Sequence, residues 1–183
     1  MFVPKKTFFL AFALIGFTGL WLAATGQSNT VDEFVPGPKP GLQAPDFTLQ
    51  TLDGQAITLS QLVGNPILVN MWASWCMPCK YEMPAVQHVY EDYQDQGFIV
   101  LAVNLTKKDM LSSVETFVEE YQLSFPILLD QDGLVEEAYQ LQGLPTSFFI
   151  DRDGIIQSVV IGGPMSKETL RVYVGKLMDG QEN

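Results

Sequence analysis

Two stretches of the chain, residues 66–73 (PILVNMWA) and 98–105 (FIVLAVNL), are near-continuous apolar runs separated by a segment of helical pattern. Short runs without polar alternation belong to strands covered on both faces, and two such strands joined by a helix form a parallel βαβ unit. The chain is thereby limited to a sheet with helices on both sides. Residues 47–49 and 56–59 flank Asp53-Gly54, and residues 146–151 and 155–161 flank Asp153-Gly154, each a hairpin signal. Residues 76–96 read as a helix containing Pro84, where a kink is expected. Residues 111–122 carry helical spacing through Val114, Phe117, Val118 and Tyr121, residues 125–129 form a short strand and residues 134–141 a short helix. A closing helix spans 166–178, with Ser166 as N-cap and Gly180 beyond its end. The order β-β-β-α-β-α-β-α-β-β-α predicts an α/β fold. Its mixed central sheet has one parallel and one antiparallel half, is flanked by helices and is preceded by a β-hairpin extension.

The mean hydropathy of +0.14 is high for such a domain, and the excess sits at the front. After Lys5 and Lys6 no charged residue occurs until Asp32, and residues 7–24 (TFFLAFALIGFTGLWLAA) are almost unbroken apolar sequence. As a helix this run spans about 27 Å, close to a hydrocarbon core of roughly 30 Å. Trp21 near its outer end suits the membrane interface, and the preceding lysines place the N-terminus in the cytoplasm. The run has no amphipathic face that would mark a core helix. Ala23, Ala24, Thr25 and Gly26 offer a cleavage site, but the run is longer than the usual signal-peptide core. Residues 1–25 are therefore read as an uncleaved, single-pass signal anchor in the cell membrane. Residues 26–45, with Pro36, Pro38, Pro40 and Pro45, read as a Pro/Gly-rich linker, and residues 46–183 as an extracytoplasmic domain. Anchored or cleaved, the domain is exported. With 21 acidic and 10 basic residues, net −11, phosphate is repelled and nucleic acid is not an expected partner.

The chain has two cysteines, both in Trp75-Cys76-Met77-Pro78-Cys79, where the strand 66–73 gives way to the helix. Unpaired N–H groups and the helix dipole favour a thiolate at Cys76, and thiolate is the nucleophile of disulfide exchange. Cys79, one turn on, is placed to attack a mixed disulfide formed by Cys76. Pro78 suits the first turn because its missing N–H would be an orphan there. Two cysteines exclude a disulfide-dense scaffold and any zinc site of three or four thiolates, and a single histidine excludes a site of two thiolates and two imidazoles. Haem attachment needs His after the second Cys, where this chain has Lys80. A purely structural disulfide over so short a span restrains little chain entropy. No metal and no cofactor beyond the redox-active Cys76–Cys79 pair is expected. His88 is too far along the helix to serve Cys79 and reads as a surface or packing residue. The sequon Asn104-Leu105-Thr106 reads as chance.

A second element, Gly143-Leu144-Pro145-Thr146, immediately precedes the strand SFFI. Together, APDFTLQTLDGQAITLSQL, NMWASWCMPCKYEMP, GLPTSFFIDRDG and the anchor resemble the thioredoxin-fold family, and within it the membrane-anchored TlpA/ResA-type thiol–disulfide oxidoreductases. The resemblance implies a cis Leu144–Pro145 bond facing Cys76, cis being tolerable only before proline. A backbone edge there would hold a substrate peptide by strand-like pairing, with Trp75 and Pro78 bordering the same groove. Plain thioredoxins carry a buried Asp six residues before the first Cys; this chain has Asn70, as the TlpA/ResA group does. That group also places a Glu three residues after the second Cys, here Glu82, on the same helix face as Cys79. A carboxylate there opposes thiolate formation and can exchange a proton with Cys79.

The resemblance thus implies a protein disulfide reductase, with Cys76, Cys79 and Glu82 as its chemical groups and Trp75, Pro78, Leu144 and Pro145 holding substrate. It implies apocytochrome c as substrate in cytochrome c maturation, and a membrane partner of the CcdA type as electron donor. A spore-cortex or other envelope reductase is a close sibling. The opening of the domain also resembles peroxiredoxins, but NMWASW before Cys76 lacks the Pro and Thr of a peroxidatic site. A redox-inactive adaptor binding copper(I) through both thiols is the non-enzymatic alternative.

Overall fold

A computed structural model describes residues 36–180, and the apolar run 7–24 lies outside them. Among the described residues no helix is long and apolar enough to cross a membrane. The elements follow the expected order: β1 (Thr48–Thr51), β2 (Ala56–Thr58), β3 (Ile67–Trp72), α1 (Met77–Tyr93), β4 (Ile99–Asn104), α2 (Leu111–Glu120), β5 (Ile127–Leu129), α3 (Leu134–Ala138), β6 (Thr146–Ile150), β7 (Ile156–Ile161) and α4 (Lys167–Met178). They build one seven-stranded sheet in the order β2-β1-β5-β4-β3-β6-β7. β3, β4 and β5 are parallel, whereas β6 runs antiparallel to β3 and β7 to β6. The β1–β2 hairpin extends the parallel side by antiparallel pairing of β1 with β5.

β3 is buried along its whole length, and its two-residue period divides it between two cores. Leu68 and Trp72 pack with Met83, Val86 and Val89 of α1, Val114 and Phe117 of α2, and Leu170 and Val174 of α4. Ile67, Val69 and Met71 face the opposite core, with Val135 of α3, Tyr139 and Phe148. Asn70 falls by the same alternation on the α1 side, a polar residue inside an apolar layer. α1 continues through Pro84 as one helix, with buried Cys79, Glu82, Met83, Val86 and Gln87 at the spacing of a core-facing stripe. Ser166 caps α4 by accepting from the Thr169 N–H (3.2 Å), as its sequence position indicates.

Residues 36–45 of the Pro/Gly-rich stretch read as linker, the part of it within the described residues, are hydrogen-bonded to the domain. Gly41 N–H donates to the Ile156 carbonyl (2.8 Å), Ile156 N–H to Leu42 (2.9 Å) and Ala44 N–H to Gly154 (3.0 Å). The Tyr139 hydroxyl donates to the Pro45 carbonyl (2.9 Å). The folded part therefore extends ahead of residue 46. Prolines at 36, 38 and 40 exclude a helix, but the Gly41 N–H and the Leu42 carbonyl that follow them still pair with Ile156 at the start of edge strand β7 and cover it.

Candidate active site

The site lies at the C-terminal end of the parallel strands, where β3 hands over to α1. Cys76 is the N-cap of α1 in extended conformation, Pro78 occupies the first turn, and the Cys79 N–H donates to Cys76 Sγ (3.3 Å). Cys76 and Cys79 are joined as a disulfide with Cα atoms 5.3 Å apart. Cys79 is fully buried, while Cys76 retains 5% exposure and lines a groove of about 430 Å³ with Trp75, Pro78, Gly143 and Leu144. Trp75 is exposed, Pro78 and Leu144 are half-buried and Pro145 is buried. The Leu144–Pro145 bond is cis, and a second cis bond, Gly163–Pro164, follows β7. Among the described residues no other backbone group takes the N–H or carbonyl of Leu144.

The loop before Cys76 is held from β4 and the turn after it. Asp109 accepts from the Ser74 N–H (2.6 Å), the Ser74 hydroxyl (2.6 Å) and the Asn104 amide (2.9 Å). Burial would raise the Asp109 carboxyl, but these bonds and the Met110 N–H outweigh it and hold the group below the ordinary carboxylate range. One residue earlier, the Lys108 carbonyl accepts from the Trp75 indole N–H (3.0 Å). Asn104 of the apparent sequon is fully buried in this grip, and His88 is exposed on α1 with its Nδ1 against the Pro84 carbonyl. Neither Asp109 nor Lys108 is marked in the sequence, because their partners lie across a turn of the fold.

Glu82 is 1% exposed, one turn beyond Cys79 on the buried face of α1. Its Oε1 accepts from Asn70 Nδ2 (3.0 Å) and its Oε2 from the Met165 N–H (2.8 Å). Burial pushes the carboxyl above its ordinary value, and the bonds from Met165 and Asn70 pull it back only in part. Gly163 closes the space beside it. A Cβ at position 163 would stand 2.5 Å from Glu82 Oε2 and 2.7 Å from Pro145 Cγ. Gly163→Ala is therefore expected to displace Glu82 or the Pro145 loop and to destabilise the protein by about 1–3 kcal/mol in urea unfolding. An unchanged midpoint would show that the loop yields freely. Met165 and Gly163 were invisible as site residues in the sequence. Asn70 is marked in the sequence only by the family comparison and is not read there as a site residue, although an amide at the centre of a buried strand needs a partner.

The chemistry available here is reversible thiol–disulfide exchange by a buried Cys pair that shows one sulfur to a groove. The comparisons agree. The model of the AhpC/TSA family matches residues 40–159. The thioredoxin-like protein YneN of Bacillus subtilis is 38% identical over 160 residues, 87% of this chain and 90% of that one. The thiol–disulfide oxidoreductase ResA of Geobacillus kaustophilus is 40% identical over 134 residues, 73% of this chain and 75% of its own. Among solved structures, a thiol:disulfide interchange protein described as DsbE, from Chlorobium tepidum, superposes with a TM-score of 0.70 at 33% identity, covering 76% of this chain and 98% of that one. StoA from Bacillus subtilis superposes with a TM-score of 0.64 at 32% identity, covering 74% and 99%. The chain therefore belongs to the AhpC/TSA family and is one of its thioredoxin-fold members, a thiol–disulfide oxidoreductase of the ResA, DsbE and StoA type.

Proposed function

We propose that the protein works in the reducing direction outside the cytoplasm, tethered through residues 7–24, and that its substrate is the disulfide of apocytochrome c. The observation that carries the direction is the carboxyl of Glu82, buried on the cysteine face of α1. A strong oxidant of this type stabilises its reduced form as thiolate. A buried carboxylate beside the pair does the opposite, so the dithiol gives up its electrons more readily.

In the proposed sequence the Cys76 thiolate attacks one sulfur of the substrate disulfide. The substrate S–S bond breaks, one substrate thiolate leaves, and a Cys76–substrate disulfide forms. Glu82 takes the proton of Cys79, whose thiolate then attacks Cys76 Sγ. The second substrate thiolate leaves, and the Cys76–Cys79 disulfide carries the two electrons' worth of oxidation. The free N–H and carbonyl of Leu144 offer an incoming chain one strand-like pairing step beside Cys76, and exposed Trp75 borders it. Renewal of the dithiol needs an electron source across the membrane, for which a carrier of the CcdA type is the proposed partner.

The test is exchange between the reduced protein and an oxidised Cys-x-x-Cys-His peptide, the haem-attachment sequence. Peptide thiols are expected to appear in step with the Cys76–Cys79 disulfide. A protein that reduces insulin but leaves this peptide oxidised would refute the substrate and keep the activity. Protease access to the domain in spheroplasts, with retention of the protein in the membrane fraction, tests the placement.

A further inference from the structure

Asn70 sits at the centre of β3 with 1% exposure, and Nδ2 is 3.0 Å from Glu82 Oε1 and 2.9 Å from the Ser147 hydroxyl. Its Oδ1 is buried without a hydrogen-bond partner. A buried carbonyl oxygen without a donor is costly, and the native fold retains this one in the middle of a strand buried along its whole length. We propose that Asn70 is a positioning residue for Glu82, its amide turning over as the carboxyl loses and gains a proton. The inference deepens the proposed proton exchange between Glu82 and Cys79 and rests on it.

The geometry leaves little choice. Glu82 Oε2 already accepts from the Met165 N–H, which is only a donor, so a proton on the carboxyl must sit on Oε1. The Oε1 hydroxyl then faces Asn70 Nδ2, donor against donor. A half-turn of the amide removes this conflict and carries its NH2 to the unpartnered position that Oδ1 leaves, so the turned state rests on the two bonds gained. It brings the orphaned Oδ1 to the same position, where it accepts from the Glu82 hydroxyl and from Ser147, whose own hydroxyl rotates from acceptor to donor. With Glu82 ionised, the amide turns back and donates to both. The amide thus serves either protonation state without moving a backbone atom, which neither Leu nor Asp at this position achieves. Leu leaves the ionised carboxylate one donor short. Asp places a second acid against the first, and the pair then titrates in two separated steps.

The groups around Glu82 add no competing charge. β3 contributes Asn70, β6 contributes Ser147 with Pro145 before it, and the loop before α4 contributes Gly163 and Met165. On its own helix the titratable neighbours are Cys79 and Cys76 at the helix start, and the shift of Glu82 has no contribution from any charged side chain.

The experiment is a pH titration by NMR of the reduced full-length protein in detergent micelles, with Glu carboxyl carbons and Asn side-chain nitrogens labelled. Glu82→Gln and Asn70→Leu spectra assign the two signals. The Asn70 side-chain nitrogen is expected to shift with the same midpoint as the Glu82 carboxyl and to be flat in Glu82→Gln. Asn70→Leu is expected to raise the Glu82 midpoint, because the charge-assisted bond is the stronger of the two lost. A Glu82 signal that titrates while Asn70 stays flat overturns the proposal, whether or not Asn70→Leu folds. If Asn70 follows Glu82 but Glu82→Gln leaves the cysteine titrations unmoved, the coupling of amide to carboxyl stands and the proton exchange with Cys79 fails.

Discussion

Cys79→Ser is expected to stop the reaction halfway, with substrate held covalently on Cys76, while Cys76→Ser captures nothing. The asymmetry follows from burial and position. Cys76 is the helix N-cap, where the dipole favours its thiolate, and its sulfur borders the groove; Cys79 has no exposure, is packed in the core and is bonded to Cys76. An incoming disulfide is thus attacked by Cys76 alone, and only Cys79 can release it. In Cys79→Ser the hydroxyl cannot resolve the adduct, so a mixed disulfide sensitive to dithiothreitol accumulates on non-reducing gels. In both variants turnover is expected to fall on the order of a thousand-fold or more, to the background of free thiol exchange. Adduct on Cys76→Ser, or continuing turnover in Cys79→Ser, would reverse the assignment.

Glu82→Gln is expected to change two pH dependences at once. The first belongs to the thiols. Removing the carboxylate removes a like-charge repulsion, so the cysteine titrations move to lower pH and alkylation at neutral pH quickens by roughly three- to ten-fold. The second belongs to the fold. Burial raises the folded-state Glu82 value above the ordinary 4.5, with the Met165 and Asn70 bonds only partly offsetting it. Between the unfolded and the raised folded value, the native state binds more protons than the unfolded state. Stability is then full below about 4.5 and is lost as pH rises through the folded value. Gln keeps the shape and cannot ionise, so its stability should be flat across this window and should equal or exceed that of the parent at neutral pH. Urea midpoints of the oxidised proteins at several pH values measure this. Parallel curves for both proteins would place the Glu82 ionisation outside the folding equilibrium.

Much of this arrangement is legible in the chain itself, for local reasons. β3, β4 and both hairpins declare themselves because apolar runs and Asp-Gly turns act over a few residues, and Gly54 and Gly154 do adopt the positive φ such turns require (81° and 82°). Glu82 is legible only through the family resemblance: on the residues alone an acid in the first turns of a helix reads as solvated and stabilised by the dipole, whereas the structure buries it on the face of Cys79, Met83 and Val86. What closes around it is not legible. The Met165 N–H that bonds Glu82 comes from 83 positions along the chain, and Asp109 reaches Ser74 across 35. Nothing in the local spacing of those residues encodes such meetings. The ordering of the strap ahead of residue 46 escaped for a related reason: prolines signal irregular backbone, and whether such backbone floats or docks depends on an edge strand supplied by distant sequence.

The reduction potential of the Cys76–Cys79 couple decides between reductase and oxidant, because direction is a property of the pair and of the charges around it. Equilibration against thioredoxin and dithiothreitol, with both redox forms quantified after alkylation, gives the value. A reductase shaped by a buried Glu82 is expected near the thioredoxin potential of about −270 mV or below it. A value near −120 mV, where the strong oxidant DsbA lies, would contradict it.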